Sequence, residues 1–424
     1  MIFHEILRRC AGFCLAAALL TTICMAHAAG WPQFLGPGRD GGWNEAGPWS
    51  KGPVIQWRAP VGGGFGGPVV AEGRVFISDA VLNKPAAHER LLCFDAATGK
   101  PLWTYAYEVI YEDWAFNPEQ AGCPSATPIV EAGRLYSIGG NGQVHCLDAG
   151  TGAMIWENDL GKTYKVRSLQ CRPSPLIENS LIILVPGANP GACVVALDKA
   201  SGKEVWKALG EPVINSSPIV LTAAGRRQLI VWTGEAVSSL DPATGTTFWS
   251  ERLITSGNDG TSTPVTHGDR LLIGGLMMQL SQDKPGAAIL WPESKAVTRR
   301  VLSNTSTALF RDDFIYSERG TGELVCLEAG TGVERWKTDK LTEPKKGACI
   351  HLTPTGDSVF LFTDEGNLIR ATLAPEGCHE ISRTHLIDPT FPFAGRNRAY
   401  ALPAFADCCI FVRSDKEVVC ARLK

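Results

Sequence analysis

The chain is 424 residues long and sets 40 basic against 43 acidic side chains, a formal charge of −3. Such a balance argues against a nucleic-acid partner, which needs a basic surface to replace its counterions. Forty-five glycines and 27 prolines, with no long apolar run after the first 28 residues, leave no transmembrane segment and suit many short strands joined by turns.

Residues 1–28 open with Arg8 and Arg9, continue as an apolar run from Ala11 to Met25 and end in Ala26-His27-Ala28. This is the pattern of a secretory signal peptide with cleavage near Ala28, and it predicts a periplasmic or secreted mature chain. Ile23 before Cys24 does not suit a lipoprotein site. Residues 29–424 are then expected to form one domain.

From Val54 onward the chain repeats itself. LLCFDAATGKPLW, ending at Trp103, returns as VHCLDAGTGAMIW at Trp156, VVALDKASGKEVW at Trp206, VSSLDPATGTTFW at Trp249 and LVCLEAGTGVERW at Trp336. Each copy reads as a hairpin. An apolar run gives a strand buried on both faces, an acid accepts the turn amides, a glycine takes positive φ, and a tryptophan follows four residues later. A large ring at one fixed place per repeat is best read as a wedge between neighbouring repeats. Trp57, Trp103, Trp156, Trp206, Trp249 and Trp336 are therefore structural.

A second mark lies upstream of each hairpin: a small residue, a proline and a short apolar run, around Pro68, Pro128, Pro175, Pro218, Pro264, a degenerate Ala308, Pro354 and Pro403. The intervals between them, 60, 47, 43, 46, 44, 46 and 49 residues, are those of four-stranded propeller blades. Trp291 marks a weaker hairpin, and the seventh copy has decayed near Ile381. The eighth copy, Val418 to Leu423, lacks its last strand, and Val54 to Val61 with Trp57 is available to supply it. The expected fold is all-β: an eight-bladed β-propeller of four-stranded antiparallel blades, closed by the N-terminal strand.

The Asp-Ala-x-Thr-Gly-x-x-x-Trp repeats, the small-x-Pro strands and the opening Trp31-Pro32-Gln33-Phe34-x-Gly36-Pro37 resemble the pyrroloquinoline-quinone-like (PQQ-like) repeat family over residues 31–424. That family includes BamB-like propellers of outer-membrane assembly and quinoprotein alcohol dehydrogenases. The resemblance implies the fold and leaves the function open between them.

Of the eleven cysteines beyond the signal, Cys93, Cys146, Cys326 and Cys420 occupy equivalent strand positions and read as core thiols. Cys123 and Cys171 precede inner strands of adjacent blades and could bridge. Cys408-Cys409 matches the adjacent-cysteine disulfide of some quinoprotein dehydrogenases, but its place between strands favours a tight turn. Gly62-x-Gly64-x-x-Gly67 and Gly36-x-Gly38-x-x-Gly41 are turns, since neither follows a strand and opens a helix. Six scattered histidines after the signal suggest no metal.

Function is expected on one rim, where the connections Asp79 to Arg90, Tyr105 to Gly122, Lys162 to Arg172, Gly274 to Ala288 and Asp388 to Tyr400 gather on a rigid scaffold. Glu108, Glu112, Asp113 and Glu119 make one part of it acidic. Lys165, Arg167, Arg172, Arg299, Arg300, Lys345, Lys346, Arg396 and Arg398 make others basic. Arg172, His351, Arg396 and Arg398 lie nearest the inner strands and are the candidates for holding a protein partner or a small anion. The reading is a monomeric, non-catalytic binding or assembly scaffold without a cofactor. The alternative is an oxidoreductase acting on an alcohol or sugar with pyrroloquinoline quinone and calcium, for which Glu119, Asn215, Asp259 and Asn304 are the available polar residues.

Overall fold

The computed structural model describes residues 30–44, 52–120, 122–254, 260–292, 302 and 306–423. Eight four-stranded antiparallel sheets follow one another along the chain. Blade 1 consists of Val69–Ala71, Arg74–Asn83, Ala86–Asp95 and Pro101–Val109. Blades 2 to 7 cover 129–159, 176–208, 219–252, 265–291, 309–338 and 350–385 in the same order. Blade 8 takes Ala404–Ala406, Cys409–Arg413 and Glu417–Arg422 from the C-terminus and Val54–Pro60 from the N-terminus as its outer strand. The ring is closed as the repeats require.

One local irregularity shows that this borrowed strand is a true equivalent. In every blade the third and outer strands pair with a single bulge, and the extra residues are Leu102, Ile155, Val205, Phe248, Leu290, Arg335, Ile381 and, across the closure, Gln56. A bulge bends and twists an outer strand. Here it also turns the next side chain inward. Cys93, Cys146, Cys326 and Cys420 face Trp103, Trp156, Trp336 and Trp57 across the pairing, all four thiols fully or almost fully buried.

The tryptophans join blade to blade. Trp57 of blade 8 gives its indole N–H to Ala96 of blade 1 at 2.9 Å, Trp103 to Ala149 at 3.1 Å, Trp156 to Lys199 at 3.1 Å and Trp206 to Pro242 at 3.1 Å, each to a backbone carbonyl. Trp291 and Trp336 do the same to Ala329 and Ala374. The ring lies on the next blade's turn glycine: a Cβ on Gly99 would sit 2.6 Å from the Trp57 ring, and its φ of +70° also suits only glycine. Below it, Asp95 accepts the Thr98 amide at 2.8 Å and the Thr98 hydroxyl at 2.6 Å, which locks the turn. Trp249 departs from this rule. Blade 5 has no Thr-Gly turn to receive it, so its N–H turns back to Gln228 Oε1 at 3.1 Å while its ring packs on the core shared by blades 4 and 5. In blade 7, Ser382 holds the position opposite Arg370 that tryptophan holds elsewhere.

The small residue before each proline has a matching role on the inside. The Gly67, Thr127 and Ser174 amides donate to the hydroxyls of Thr127, Ser174 and Ser217 at 3.0, 3.0 and 2.9 Å. Inner strands are thus stitched across blade boundaries where their own sheet leaves them unpaired.

Residues 30–44 fill the axis. Trp31 exchanges two backbone hydrogen bonds with Val70 of blade 1, the Pro32 carbonyl accepts from Val130 of blade 2, and the Trp43 amide donates to Pro354 of blade 7. Between them Arg39 spans blades 3 and 4, donating to the Pro175 carbonyl at 2.9 Å and to Pro218 at 3.1 Å. Burial pulls its guanidinium down to about 9. Trp31 and Trp43 pack on Phe405 at 5.7 and 5.3 Å. No described helix is long and apolar enough to cross a membrane.

Candidate functional site

One rim is built up and the other is not. The inner-pair turns, such as Glu72-Gly73 and Ala132-Gly133, and the Thr-Gly turns are tight, with residues at positive φ. On the opposite rim the central hairpin of blade 1 runs on for ten residues per strand, and the connection into blade 2 carries a short helical turn at Asp113–Phe116. The connection into blade 8 folds into an extra hairpin, Phe391–Phe393 with Arg396–Arg398. Of the segment Gly274 to Ala288, expected on this rim, only the turn at 274–275 lies there. Leu276–Leu280 is a strand, and the turn after it, at 281–286, lies on the plain face.

Three of the four candidate residues come together between blades 7 and 8. Arg396 donates to Asp364 Oδ2 at 2.7 Å, to Glu343 at 3.0 Å and to Glu365 at 3.1 Å. Arg398, with no solvent exposure, pairs with the same Asp364 oxygen and donates to the Lys346 carbonyl at 2.8 Å. Thr342 completes Asp364 at 2.8 Å. His351, buried on the inner strand, has Nε2 2.9 Å from the Tyr400 carbonyl, and burial lowers its basicity. Cys349 lies 3.3 Å from Ser306 Oγ, its thiol held protonated by the same burial. Both guanidinium groups are thus met by carboxylates, and Arg398 faces inward. Arg172 stands apart between blades 2 and 3, half-buried, with Nε on the Leu169 carbonyl at 3.0 Å. Lys165 and Arg167 beside it are exposed.

The acidic part of the rim lies around blades 8, 1 and 2. Glu108, Glu112, Asp113 and Glu119 are all exposed, as is Ile110, at 85%, the most open of the large apolar side chains described. Beneath them Glu89 is 1% exposed and has only neutral donors: Tyr107 Oη at 2.6 Å, Tyr111 Oη, and the Gly140 amide at 2.9 Å. Burial raises its affinity for a proton, against the pull of those three hydrogen bonds. Nearer the axis, Asp79 pairs with Arg90 at 2.6 Å, and the enclosed Arg413 donates to the Ser78 and Gly62 carbonyls at 2.6 and 2.7 Å. Asp415 accepts the Gly64 amide at 3.1 Å.

Sequence reasoning missed Glu89, Asp79, Asp364 and Asp415. A signal was present for three of them: an acid follows an apolar second strand in VFIS-Asp79, FLFT-Asp364 and FVRS-Asp415, as does Glu318 in FIYS-Glu318. Asp364, Asp415 and Glu318 stand at or just beyond the ends of their strands on the built-up rim, while Asp79 lies within the lengthened strand of blade 1. Glu89 carried no such mark.

The bridge considered between Cys123 and Cys171 is not formed. Both are buried free thiols, and Cys171 Sγ is directed to the Pro186 carbonyl at 3.7 Å. Cys408 sits with Asp407 at φ of 58° and 51° in the turn between the first two strands of blade 8, on the plain face. That placement does not fit a disulfide lying over a cofactor at the built-up rim. Among the quinone-site residues considered, Glu119 is exposed, Asn215 is half-buried, and Asp259 and Asn304 lie outside the described residues. Among the described residues no group of three or more His, Cys, Asp or Glu is placed to hold a metal ion.

Residues 87–282 match the family model described as outer membrane protein assembly factor BamB. The chain is 29% identical over 107 residues to the outer membrane protein assembly factor BamB of Moranella endobia, 24% of each protein. It is 28% identical over 160 residues to the dehydrogenase subunit of the quinone alcohol dehydrogenase of Komagataeibacter europaeus, 35% of this chain and 21% of that one. The matched segments thus span a quarter or less of those relatives. In structure it resembles BamB from Moraxella catarrhalis with a TM-score of 0.58 at 16% identity, covering 88% of this chain and all of that one. It also resembles the quinohemoprotein alcohol dehydrogenase of Comamonas testosteroni with a TM-score of 0.64 at 12% identity, covering 93% and 81%. Repeat, blade and ring agree with these matches: the chain is an eight-bladed β-propeller whose repeats are similar to those of BamB and of the quinoprotein alcohol dehydrogenases alike.

Proposed function

We propose that this propeller is an extracytoplasmic, non-catalytic scaffold that holds a protein partner on its built-up rim, after removal of a signal peptide near Ala28. The observation that carries the reading is the asymmetry of the two faces. Long connections, an added hairpin and the exposed Ile110 and Trp114 stand on one rim, while the other is made of tight turns. A rigid ring that presents loops on one side is a common way to build a binding surface. The exposed Lys165 and Arg167, beside the half-buried Arg172, offer basic ground for an acidic segment of the partner. Arg396, Arg398 and His351 shape the adjoining wall.

Two experiments test it. A photo-crosslinking residue at Ile110 is expected to capture one protein in the native envelope, while the same residue at Lys100, on the plain face, captures none. The purified chain is also to be mixed with pyrroloquinoline quinone and calcium, then assayed for a cofactor spectrum and for dye reduction with alcohols and sugars. Turnover in that assay would replace the scaffold reading by the oxidoreductase one.

A further inference from the structure

A pocket of about 240 Å³ opens on the acidic part of the rim where blades 8, 1 and 2 meet, lined by Gly64, Leu82, Pro118, Phe391, Pro392 and Asp415. It is smaller than the roughly 300–1,000 Å³ that encloses a drug-sized ligand, and its size suits a single side chain. Its walls are apolar and its one carboxylate is Asp415. Phe391 is fixed by edge-on contact with Phe65 at 4.7 Å and by Tyr400 at 5.9 Å, so an aromatic ring and an acid face one small space.

Asp415 is short of a counter-charge. Its Oδ1 accepts the Gly64 amide, and no ion pair reaches it among the described residues. Arg413, two residues earlier, spends its guanidinium on the Ser78, Gly62 and Ser414 carbonyls. Burial raises the proton affinity of Asp415, against the opposing charge of Arg413. Gly64, at φ +146° and with Pro124 O 2.9 Å from where a Cβ would be, lets the backbone come close enough to hold the acid in place. Outside the pocket, Glu108, Glu112, Asp113 and Glu119 give the approach a negative potential, offset in part by Lys84 on Asp113 at 3.2 Å and by Arg172, whose charge reaches Cys123 in the pocket wall. The larger groove beside it, at Arg58, Asp388, Lys416 and Glu417, has Arg58 already paired with Glu417 at 2.7 Å and lacks this mainly negative character.

We propose that this pocket takes a cationic side chain, lysine or arginine, of the protein that docks on the rim. The carboxylate favours a cation, the Phe391 ring in the wall can add to that attraction, and apolar walls accept the methylene stem. The proposal rests on the rim reading for its partner, but its chemistry can be measured on the purified full-length chain alone.

The test is calorimetric titration with the peptides acetyl-Gly-Lys-Gly-amide and acetyl-Gly-norleucine-Gly-amide at low salt. The lysine peptide is expected to bind at least about tenfold more tightly, the ratio that one charge-assisted contact supplies. D415N keeps an acceptor for Gly64 and is expected to abolish the preference, and L82W to block both peptides by filling the pocket. Circular dichroism and thermal melting confirm that each variant is folded. Equal binding of the two peptides, no saturable binding, or a preference that survives in folded D415N overturns the proposal. Because no partner enters this test, its failure leaves the crosslinking at Ile110 to be judged separately.

Discussion

Asp364 and Glu89 flank blade 8 on the same rim, both out of solvent, and they meet burial in opposite ways. Asp364 has two guanidinium groups against one oxygen and a threonine hydroxyl on the other. Glu89 has two tyrosine hydroxyls and a backbone amide, and among the described residues no cation pairs with it. A buried carboxylate can be compensated by opposite charge, as at Asp364, or by neutral donors, as at Glu89, where burial raises the affinity for a proton. The consequence is local. The blade 7 and 8 arc is a cross-linked charge network that pins the extra hairpin to the ring, whereas in the blade 1 and 2 arc Glu89 is held by neutral hydrogen bonds beneath an acidic surface.

The sharpest way to break this contrast is Arg398→Ala. It leaves Asp364 buried with half of its counter-charge gone, and a loss of about 3–5 kcal/mol in urea unfolding is expected. Arg396→Ala removes a guanidinium whose other partners, Glu343 and Glu365, remain in contact with water. It should cost less, about 2 kcal/mol by the same measurement. A larger loss from Arg396 than from Arg398 would mean that the surface acids, not Asp364, hold the hairpin.

On the other arc the effects are smaller and depend on pH. Tyr111→Phe deletes one neutral donor to Glu89 and is expected to cost about 1 kcal/mol. Glu89→Gln mimics the protonated acid and should change stability by less than about 1 kcal/mol at pH 4. Its signature is in the pH profile. The folded-state pKa of Glu89 is raised above the unfolded value of 4.5, so the folded chain binds the proton more tightly. Stability from this group is present below the unfolded value and is lost as pH rises through the folded one. The variant should therefore gain on the parent as pH rises above 4.5, with a plateau beyond the folded pKa. A flat difference would show that Glu89 is not kept neutral.

Much of this protein was legible in its residues because a repeat states the same physical requirement many times. The Thr-Gly-x-x-x-Trp turn specified the strand pair, the positive-φ glycine and the ring that lies on it. The orphan strand at Trp57 specified closure, since an eighth blade short of one strand leaves an open edge. Cys93, Cys146, Cys326 and Cys420 were readable as core thiols for the same reason. Trp249 shows the limit: its own repeat is intact, but the docking site belongs to blade 5, whose turn has changed.

What only the folded chain decided lies where parts distant in sequence converge. Arg396 and Arg398 look like free basic residues until Asp364, more than thirty positions earlier, is brought against them. Arg39 reads as a loop arginine until the ring closes around residues 30–44 and offers it the carbonyls of Ser174, Pro175 and Pro218. The sequence alone determined the repeating unit and its number, because hydrophobic pattern and turn chemistry act over a few residues. Tertiary structure decided which charges are spent internally and which still face the mouth, because electrostatic pairing depends on distance in space and on the water that folding removes.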